Sequence, residues 1–558
     1  MKDALMNTRT PRTLMDIDVN RRSFLGMLAA GAAVVGVPSL LSGCGGSGQA
    51  PTTGFVAAGT DVIPTYVPVD YVTPDFPSVN GSTPGFSVLP TELVQSVPTP
   101  PGKGTAFTAM TPLWGTIPPK SGNQYYAAVN DLLGSTIDFQ ITDGNTYGDK
   151  LATVLASSRD VPDWVCVPTW NLPPRFGSEI VGNVFQDLSP YLGGDKVKEY
   201  PNLANIPTDA WKFCVFNGKL YGLPFPGEIL TDAVFYRKDV LDGLGITPDV
   251  RSGQDLIDLA VELTDSSAGR WGTEDLWNTA AIIHAVPPKW KLDDAGKLVH
   301  RVESEEYRAA LEWNAAVFAA GVVHPDAVAD QSGDAKQRFQ SGKTVIANDG
   351  LGSWHEALRD NLASNPDFWQ EPFLPFAADG GTPVLFKGNP ANIFSFLKKS
   401  DDEARIKELL SLADVLAAPF GTTEFDVVAN GVEGVHFTRD DQGMPVPTDL
   451  AATELQPTYM FLVDGPIANT RVQYPGYVEA SSNWQAAASE FITDPVFYGQ
   501  QISEPQQYAS IGQPFVDLEK DISRGRKSIS DLDSAVETWK SSGGDELRAF
   551  YQDILDQQ

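Results

Sequence analysis

The stretch Gly104–Trp170, GTAFTAMTPLWGTIPPKSGNQYYAAVNDLLGSTIDFQITDGNTYGDKLATVLASSRDVPDWVCVPTW, decides the fold. "GTAFTAMTPLW" reads as a strand and "NQYYAAVNDLLG" as a helix ended by Gly134, a residue suited to the turn that stops a helix. "TIDFQITD" is the next strand, "TYGDKLATVLASS" the next helix and "PDWVCVPT" the third strand. Strand and helix alternating at this spacing predict a parallel sheet in an α/β layer structure, because each helix is the crossover that lets neighbouring strands run the same way. In such sheets ligands collect beyond the carboxyl ends of the strands. Two of the loops leaving those ends begin with Trp114 and Trp170.

Downstream, a second α/β region opens after "NGKLYGLPFPGEILTDAVFYRKDVLDGLGITP". "GQDLIDLAVELTD" is an amphipathic helix, "KWKLDDAGKLVHRV" a hairpin turning at Asp294 to Gly296, and "SEEYRAALEWNAAVFAAG" a long helix. "RFQSGKTVIANDGLGSW" gives a strand leading into a turn, "DDEARIKELLSLADVLAA" another helix, and "DLDSAVETWKSSGGDELRAFYQDIL" closing helices. No repeat of solenoid period is present in the sequence.

Upstream, "NRRSFLGMLAAGAAVVGVPSLLSGCGG" (Asn20–Gly46) sets a pair of arginines before 18 uncharged residues, Phe24 to Leu41. The run is interrupted by glycines and Pro38 and ends in small residues, the layout of a secretory signal and not of a permanent span. Arg21 and Arg22 resemble the twin-arginine export signal, and Leu41-Ser42-Gly43-Cys44 resembles the bacterial lipobox, whose cysteine is acylated after cleavage just before it. Residues 1–43 are therefore expected to be removed, and the chain to be exported and tethered by Cys44 to the outer face of the cytoplasmic membrane, extracellular or periplasmic. Residues 44–102 read as a tether followed by a Pro-rich extended strap laid along a domain, with ten prolines and no Lys or Arg between Gly45 and Gly102.

Composition narrows the partners. The 558 residues carry a net charge of −31, and loss of residues 1–43 leaves 515 residues at about −33. So acidic a surface excludes nucleic acid or anionic lipid as electrostatic partners, and it disfavours an anionic ligand without a local basic pocket. A hydrophobic fraction of 42% with 28 phenylalanines supplies a packed core, and the length exceeds one ordinary core and calls for two domains or one elaborated pair. An oxidising compartment permits Cys166 and Cys214 to pair, and two buried free thiols are the alternative.

The lipobox, "SSRDVPDWVCVPTW", "NGKLYGLPF", "FYRKDVLDGLGI", "RFQSGKTVIAND", "GVEGVHFT" and the late "GGDELRAFY" together resemble the family 1 extracellular solute-binding proteins, the sugar-capturing lipoproteins of bacterial ATP-driven importers. The resemblance runs from about Thr105 to the C-terminal motif. It implies a two-lobed α/β fold with hinge-connected, discontinuous lobes. Lobe 1 would span 103–228 with about 390–470, and lobe 2 229–389 with about 471–558, with a first crossing near Gly227 to Asp232 and a return near Phe386 to Ile393. Partners implied are a sugar or oligosaccharide, the permease subunits of an ABC transporter, and the membrane through the lipid anchor alone, with the protein a monomer without cofactor. A secreted carbohydrate-active enzyme, or a binding protein that reports its ligand to a membrane sensor, are the alternatives.

Sugars present apolar C–H faces edged by hydroxyls, so aromatic platforms beside carboxylate, amide and Arg partners suit them, and the chain has 12 tryptophans. By position in the resemblance, Trp114 and Asn123 belong to the loop after the first strand and Trp170 and Arg175 to that after the third. Glu228 falls at the hinge, Trp277 in the second lobe, and Trp354 after the strand ending "VIAND". Trp170 and Trp354 are the leading platforms. Catalytic motifs are missing: "SGKT" (Ser341–Thr344) lacks the glycine a phosphate loop needs, five scattered histidines build no metal site, and there is no G-x-S-x-G elbow or dinucleotide fingerprint.

Overall fold

The computed structural model describes residues 59, 61–69, 71–157, 159–173 and 176–557. The export arginines Arg21 and Arg22, the lipidation site Cys44 and the candidate ligand residue Arg175 lie outside the described residues. Nine strands among those described build the two larger sheets: β1 (Ala106–Leu113), β2 (Thr136–Asp143), β3 (Trp164–Pro168), β4 (Gly222–Phe225), β5 (Asp232–Arg237), β6 (Trp271–Thr273), β7 (Thr344–Gly350), β8 (Gln370–Pro372) and β9 (Ile393–Leu397). The chain forms two compact units. The first comprises Glu92–Phe225 and Ala391–Gly465 with the described residues up to Val69; the second comprises Pro226–Pro390 and Pro466–Gln558 with the segment 71–91.

The first unit holds a five-stranded sheet in the order β2-β1-β3-β9-β4. β1 runs parallel to β2 from Ala106 opposite Thr136 to Leu113 opposite Asp143, and parallel to β3. The helix Gln124–Leu133 forms because Asn123 caps it, accepting the Tyr126 N–H, and it stops where Gly134 adopts φ 67°. Its buried face, Tyr125, Tyr126, Val129 and Leu133, joins Tyr147, Leu151, Val154 and Leu155 of the helix Tyr147–Leu155 in one core. The sheet is not wholly parallel, as the alternation had led us to expect. β9 is antiparallel to both β3 and β4, with Ile393 opposite Pro168 and Phe225. The reason is topological: β4 is the strand on which the chain leaves this unit and β9 the one on which it returns, so the two run in opposite senses at the edge where β3 ends.

The second unit has a four-stranded sheet, β8-β5-β7-β6, in which β5 is antiparallel to β7 and β8, and β7 parallel to β6. The two-residue period of β5 sends its side chains to opposite faces. Val234 and Tyr236 join Leu256, Leu263 and Val345 in one apolar cluster, while Ala233 and Phe235 join Trp354, Phe368, Tyr477 and Trp484 in another. Helices Gly253–Leu263 and Glu305–Ala319 are capped by Ser252 and Ser304, whose hydroxyls accept from the N–H of Asp255 and Tyr307. The hairpin Trp290–Leu292 with Leu298–His300 turns where Gly296 takes φ 75°.

The Pro-rich segment does not lie along a single domain. In the first unit Pro64 bridges Gly194, the Val67 N–H donates to Ala204 O at 2.8 Å, and the Ser96 and Val97 N–H groups donate to Glu424. In the second, Phe76 bridges Gly85 and Gly85 bridges Asn469. Prolines remove the donors a continuous ladder needs, so the segment pairs by isolated bridges wherever a free N–H meets an acceptor. Cys166 and Cys214 are separate, fully buried thiols and do not form a disulfide, and burial pushes both pKa values well up, which leaves them unreactive.

Candidate functional site

At the carboxyl edge of the five-stranded sheet, four aromatic side chains from four separate elements come together. Trp114 is the first residue after β1, Trp170 lies in the single 3₁₀ turn Thr169–Asn171 after β3, Phe225 ends β4, and Phe461 comes from the segment before the chain leaves the unit. The Trp114 and Trp170 rings are 6.0 Å apart at 52°; Trp114 meets Phe461 edge-on at 6.1 Å, and Phe461 lies 6.3 Å from Phe225. Leu113, Cys166 and Ile393 floor the group. Both indoles are half-buried, so each is held from behind and keeps part of its surface free.

The sequence makes room for this arrangement at one glycine. Gly144, which follows β2, donates its N–H to Leu113 O at 2.9 Å, and a Cβ there would sit 2.1 Å from the Trp114 indole. Only glycine lets the β2 backbone pass so close to the ring. Tyr147 adds a brace, its hydroxyl donating to Cys166 O at 2.6 Å. Asp464, three residues beyond Phe461, is pushed up to about 7 by burial, against which the Gly465 N–H donates to its Oδ1 at 2.8 Å.

Other candidates go elsewhere. Asn123 is 4% exposed, and both its side-chain polar atoms are engaged within the fold: its Oδ1 accepts the Tyr126 N–H at 2.9 Å and its Nδ2 donates to Glu454 O at 3.1 Å. It is a buried helix cap, and that role accounts for the asparagine without a ligand. His436 of "GVEGVHFT" belongs to the same knot. Its Nδ1 accepts the Val432 N–H at 3.0 Å, which leaves the proton on Nε2, 3.2 Å from Glu454 Oε2, an oxygen that also accepts the Gln124 N–H at 2.8 Å. That motif thus anchors the start of a helix. Among the described residues no group of three or more His, Cys, Asp or Glu is placed to hold a metal ion, and no helix is long and apolar enough to cross a membrane.

In the second unit, Trp354 is a correction to the sequence reading. It is not in a loop after β7 but is the second residue of the helix Ser353–Asn361, with 0% exposure, enclosed by Tyr477 at 5.4 Å, Phe235 at 6.0 Å and Trp369 at 6.4 Å. Transfer of its large apolar surface from water makes it a core anchor, with no ring face free to stack on a ligand. Trp277 opens the helix Trp277–Ile283, half-buried and edge-on to Tyr307 at 5.6 Å. Glu228 accepts from Thr83 Oγ1 at 3.3 Å; burial raises its pKa, opposed by the charge of Arg471 and by the Thr83 donor. Sequence reading had missed Phe225, Phe461, Gly144 and Arg471. The only advance signal was that Phe225 and Phe461 each sit just before a Pro- or Gly-marked exit, "PFPGE" and "FLVDGP".

Comparison with known proteins matches residues 119–414 to the family model described as bacterial extracellular solute-binding protein. A curated relative, the polygalacturonan/rhamnogalacturonan-binding protein YtcQ of Bacillus subtilis, is 22% identical over 82% of this chain and 92% of its own length. Lipoprotein LipO of the same organism is 21% identical over 80% of this chain and 91% of its length. Among solved structures, an HMO-binding, ABC-transporter-associated solute-binding protein from Bifidobacterium longum infantis superposes with a TM-score of 0.59 at 16% identity, covering 82% of this chain and 99% of that one. At that identity the likeness is one of fold.

Proposed function

Because the chain belongs to the bacterial extracellular solute-binding proteins, we propose that it captures a sugar or oligosaccharide outside the cytoplasmic membrane and hands it unchanged to the permease of an ABC transporter. The observation that carries this reading is the half-exposed Trp114–Trp170 pair at the carboxyl edge of the sheet, two flat apolar surfaces held at an angle by Phe461 and Gly144. Such surfaces suit the C–H faces of pyranose rings. The names of the relatives, one polygalacturonan/rhamnogalacturonan-binding and one HMO-binding, support a saccharide over a peptide or an ion. Trp277, Glu228 and Arg175 are retained as further candidate ligand residues of the proposal. Export through Arg21 and Arg22, acylation at Cys44 and a monomeric state complete the proposal, with LipO as a lipoprotein relative in support.

The test is a thermal-shift screen of the full chain against mono- and oligosaccharides, peptides and other small solutes, followed by chromatography of each recovered ligand. A saccharide that raises the melting temperature and returns intact supports capture without turnover, since a ligand that binds only the native state stabilises it. Recovery of a shortened or altered sugar would make the protein an enzyme, and stabilisation by peptides alone would remove the saccharide.

A further inference from the structure

The Trp114–Trp170 wall has a polar rim. β1 and β2 pair in register, with Thr111 opposite Ile141 and Leu113 opposite Asp143. Residues paired in this way, like those two apart on one strand, present their side chains to the same face of a sheet. Asp143 therefore shares the face of Leu113 and Ile141, the two residues of these strands that pack in the wall group. Unlike them it is exposed. Its Oδ1 accepts the Asn145 N–H at 2.9 Å, which folds the carboxylate over the turn at Gly144, the residue pressed against the Trp114 indole. Among the described residues the Asp143 carboxylate makes no ion pair and no other hydrogen bond, which leaves Oδ2 open. One residue along the chain from the ring, Gly115 is exposed, and a Cβ there would lie 3.8 Å from Gln456 Oε1. Gln456 Nε2 is turned to Ala452 O at 3.4 Å, so the amide offers its oxygen.

The rim thus presents acceptors beside the platform, and a partner stacked on Trp114 must bring donors to meet them. We infer that Asp143 is a specificity-determining ligand contact, accepting hydroxyl protons from a neutral sugar unit stacked on Trp114 and rejecting the same unit when it carries a carboxylate. The inference rests on the saccharide reading above and narrows it. A hydroxyl bound to an ionised acceptor makes a stronger hydrogen bond than one bound to a neutral acceptor, so the open carboxylate favours hydroxyl-rich ligands. Oxidation of a sugar at C6 replaces a donor by an acceptor and sets a second negative charge near Asp143. Among the described residues no Lys or Arg is paired with Asp143 to offset that charge, and the chain as a whole stands at −31.

Titration calorimetry of the full chain tests this, first with a panel of neutral trisaccharides and trigalacturonate, then with the tightest neutral binder and the same sugar oxidised at its C6 hydroxyls. The variants are Asp143→Ala and Asp143→Asn, with ligand-free melting recorded for each. The result expected of the parent is tight binding of the neutral sugar and binding of its oxidised form weaker by about fivefold or more. Asp143→Asn removes the charge and keeps the oxygen that accepts from Asn145, so it should bring the two ligands to within about twofold of each other. Asp143→Ala should weaken the neutral sugar about tenfold with ligand-free melting unchanged. Binding of the oxidised sugar or of trigalacturonate as tight as, or tighter than, that of the neutral sugar would overturn the inference and leave the saccharide reading standing. A preference that persists in Asp143→Asn, or neutral-sugar affinity within about twofold of the parent in Asp143→Ala, would make Asp143 a turn residue only and overturn it likewise. Failure of the parent chain to bind any saccharide would overturn both.

Discussion

Each unit carries a tryptophan cluster close behind a strand, and the two have opposite fates. In the first, Trp170 sits in a single 3₁₀ turn and shares a half-exposed wall with Trp114. In the second, Trp354 falls four residues after β7 ends, yet its surface is closed by Tyr477, Phe235 and Trp369. What differs is the element that follows the strand. A one-turn connection leaves its side chain at the sheet edge, whereas a helix beginning at Ser353 rotates its second residue onto the face that packs inward. A strand followed by tryptophan is therefore not by itself the mark of a platform.

The largest effect that could break this contrast is on stability. Trp354→Ala should cost about 3–5 kcal/mol in denaturant unfolding, as expected for a large aromatic removed from a closed core, while saccharide affinity of the folded fraction stays unchanged. Trp170→Ala should do the reverse, weakening saccharide binding by about 1–3 kcal/mol with unfolding shifted by less than about 1 kcal/mol. If both variants lost affinity alike, the contrast would fail. Gly144→Ala probes how the wall is held: its new methyl must displace Trp114, costing about 1–3 kcal/mol of stability or moving the ring, and the change in indole fluorescence on ligand addition should shrink.

The smallest effect expected is of pH. Asp414 and Asp464, both in the unit that carries the wall, are raised to about 7, in each case mainly by burial. An acid with a folded pKa above its unfolded value contributes stability that is complete below about 4 and is lost as pH rises through about 7. Hydrogen exchange in the helix Glu403–Leu416 should therefore slow on going from pH 8 to pH 5 after correction for intrinsic rate, and Asp414→Asn should flatten that dependence. Asn can keep the bonds involved, because the Asn202 and Leu203 N–H groups both donate to the same oxygen, Oδ1.

The local α/β alternation of 104–170 was legible because each step is decided within a few residues, by apolar period and by a stop such as Gly134. The antiparallel insertion of β9 was not, since it depends on a strand arriving more than 200 residues later. The wall was half legible for the same reason. Trp114 and Trp170 lie in adjacent loops, but Phe461 reaches them from the far end of the unit. Asn123 could have been read correctly, because an asparagine just before a helix is a preferred cap and its side chain is then already committed. Trp354 could not, since whether "GLGSWHEAL" starts a helix before or after its tryptophan is settled by packing against Tyr477 and Phe235.

The most direct measurement is a titration of the full chain with neutral oligosaccharides followed by tryptophan fluorescence, run in parallel on the parent, Trp170→Ala and Trp354→Phe, with the sugar recovered afterwards. A saturable signal in the parent and in Trp354→Phe, lost or much weakened in Trp170→Ala, with the sugar returned intact, is the result expected of a capture protein whose platform is the Trp114–Trp170 wall. Undiminished binding in Trp170→Ala, or a shortened sugar, would contradict it.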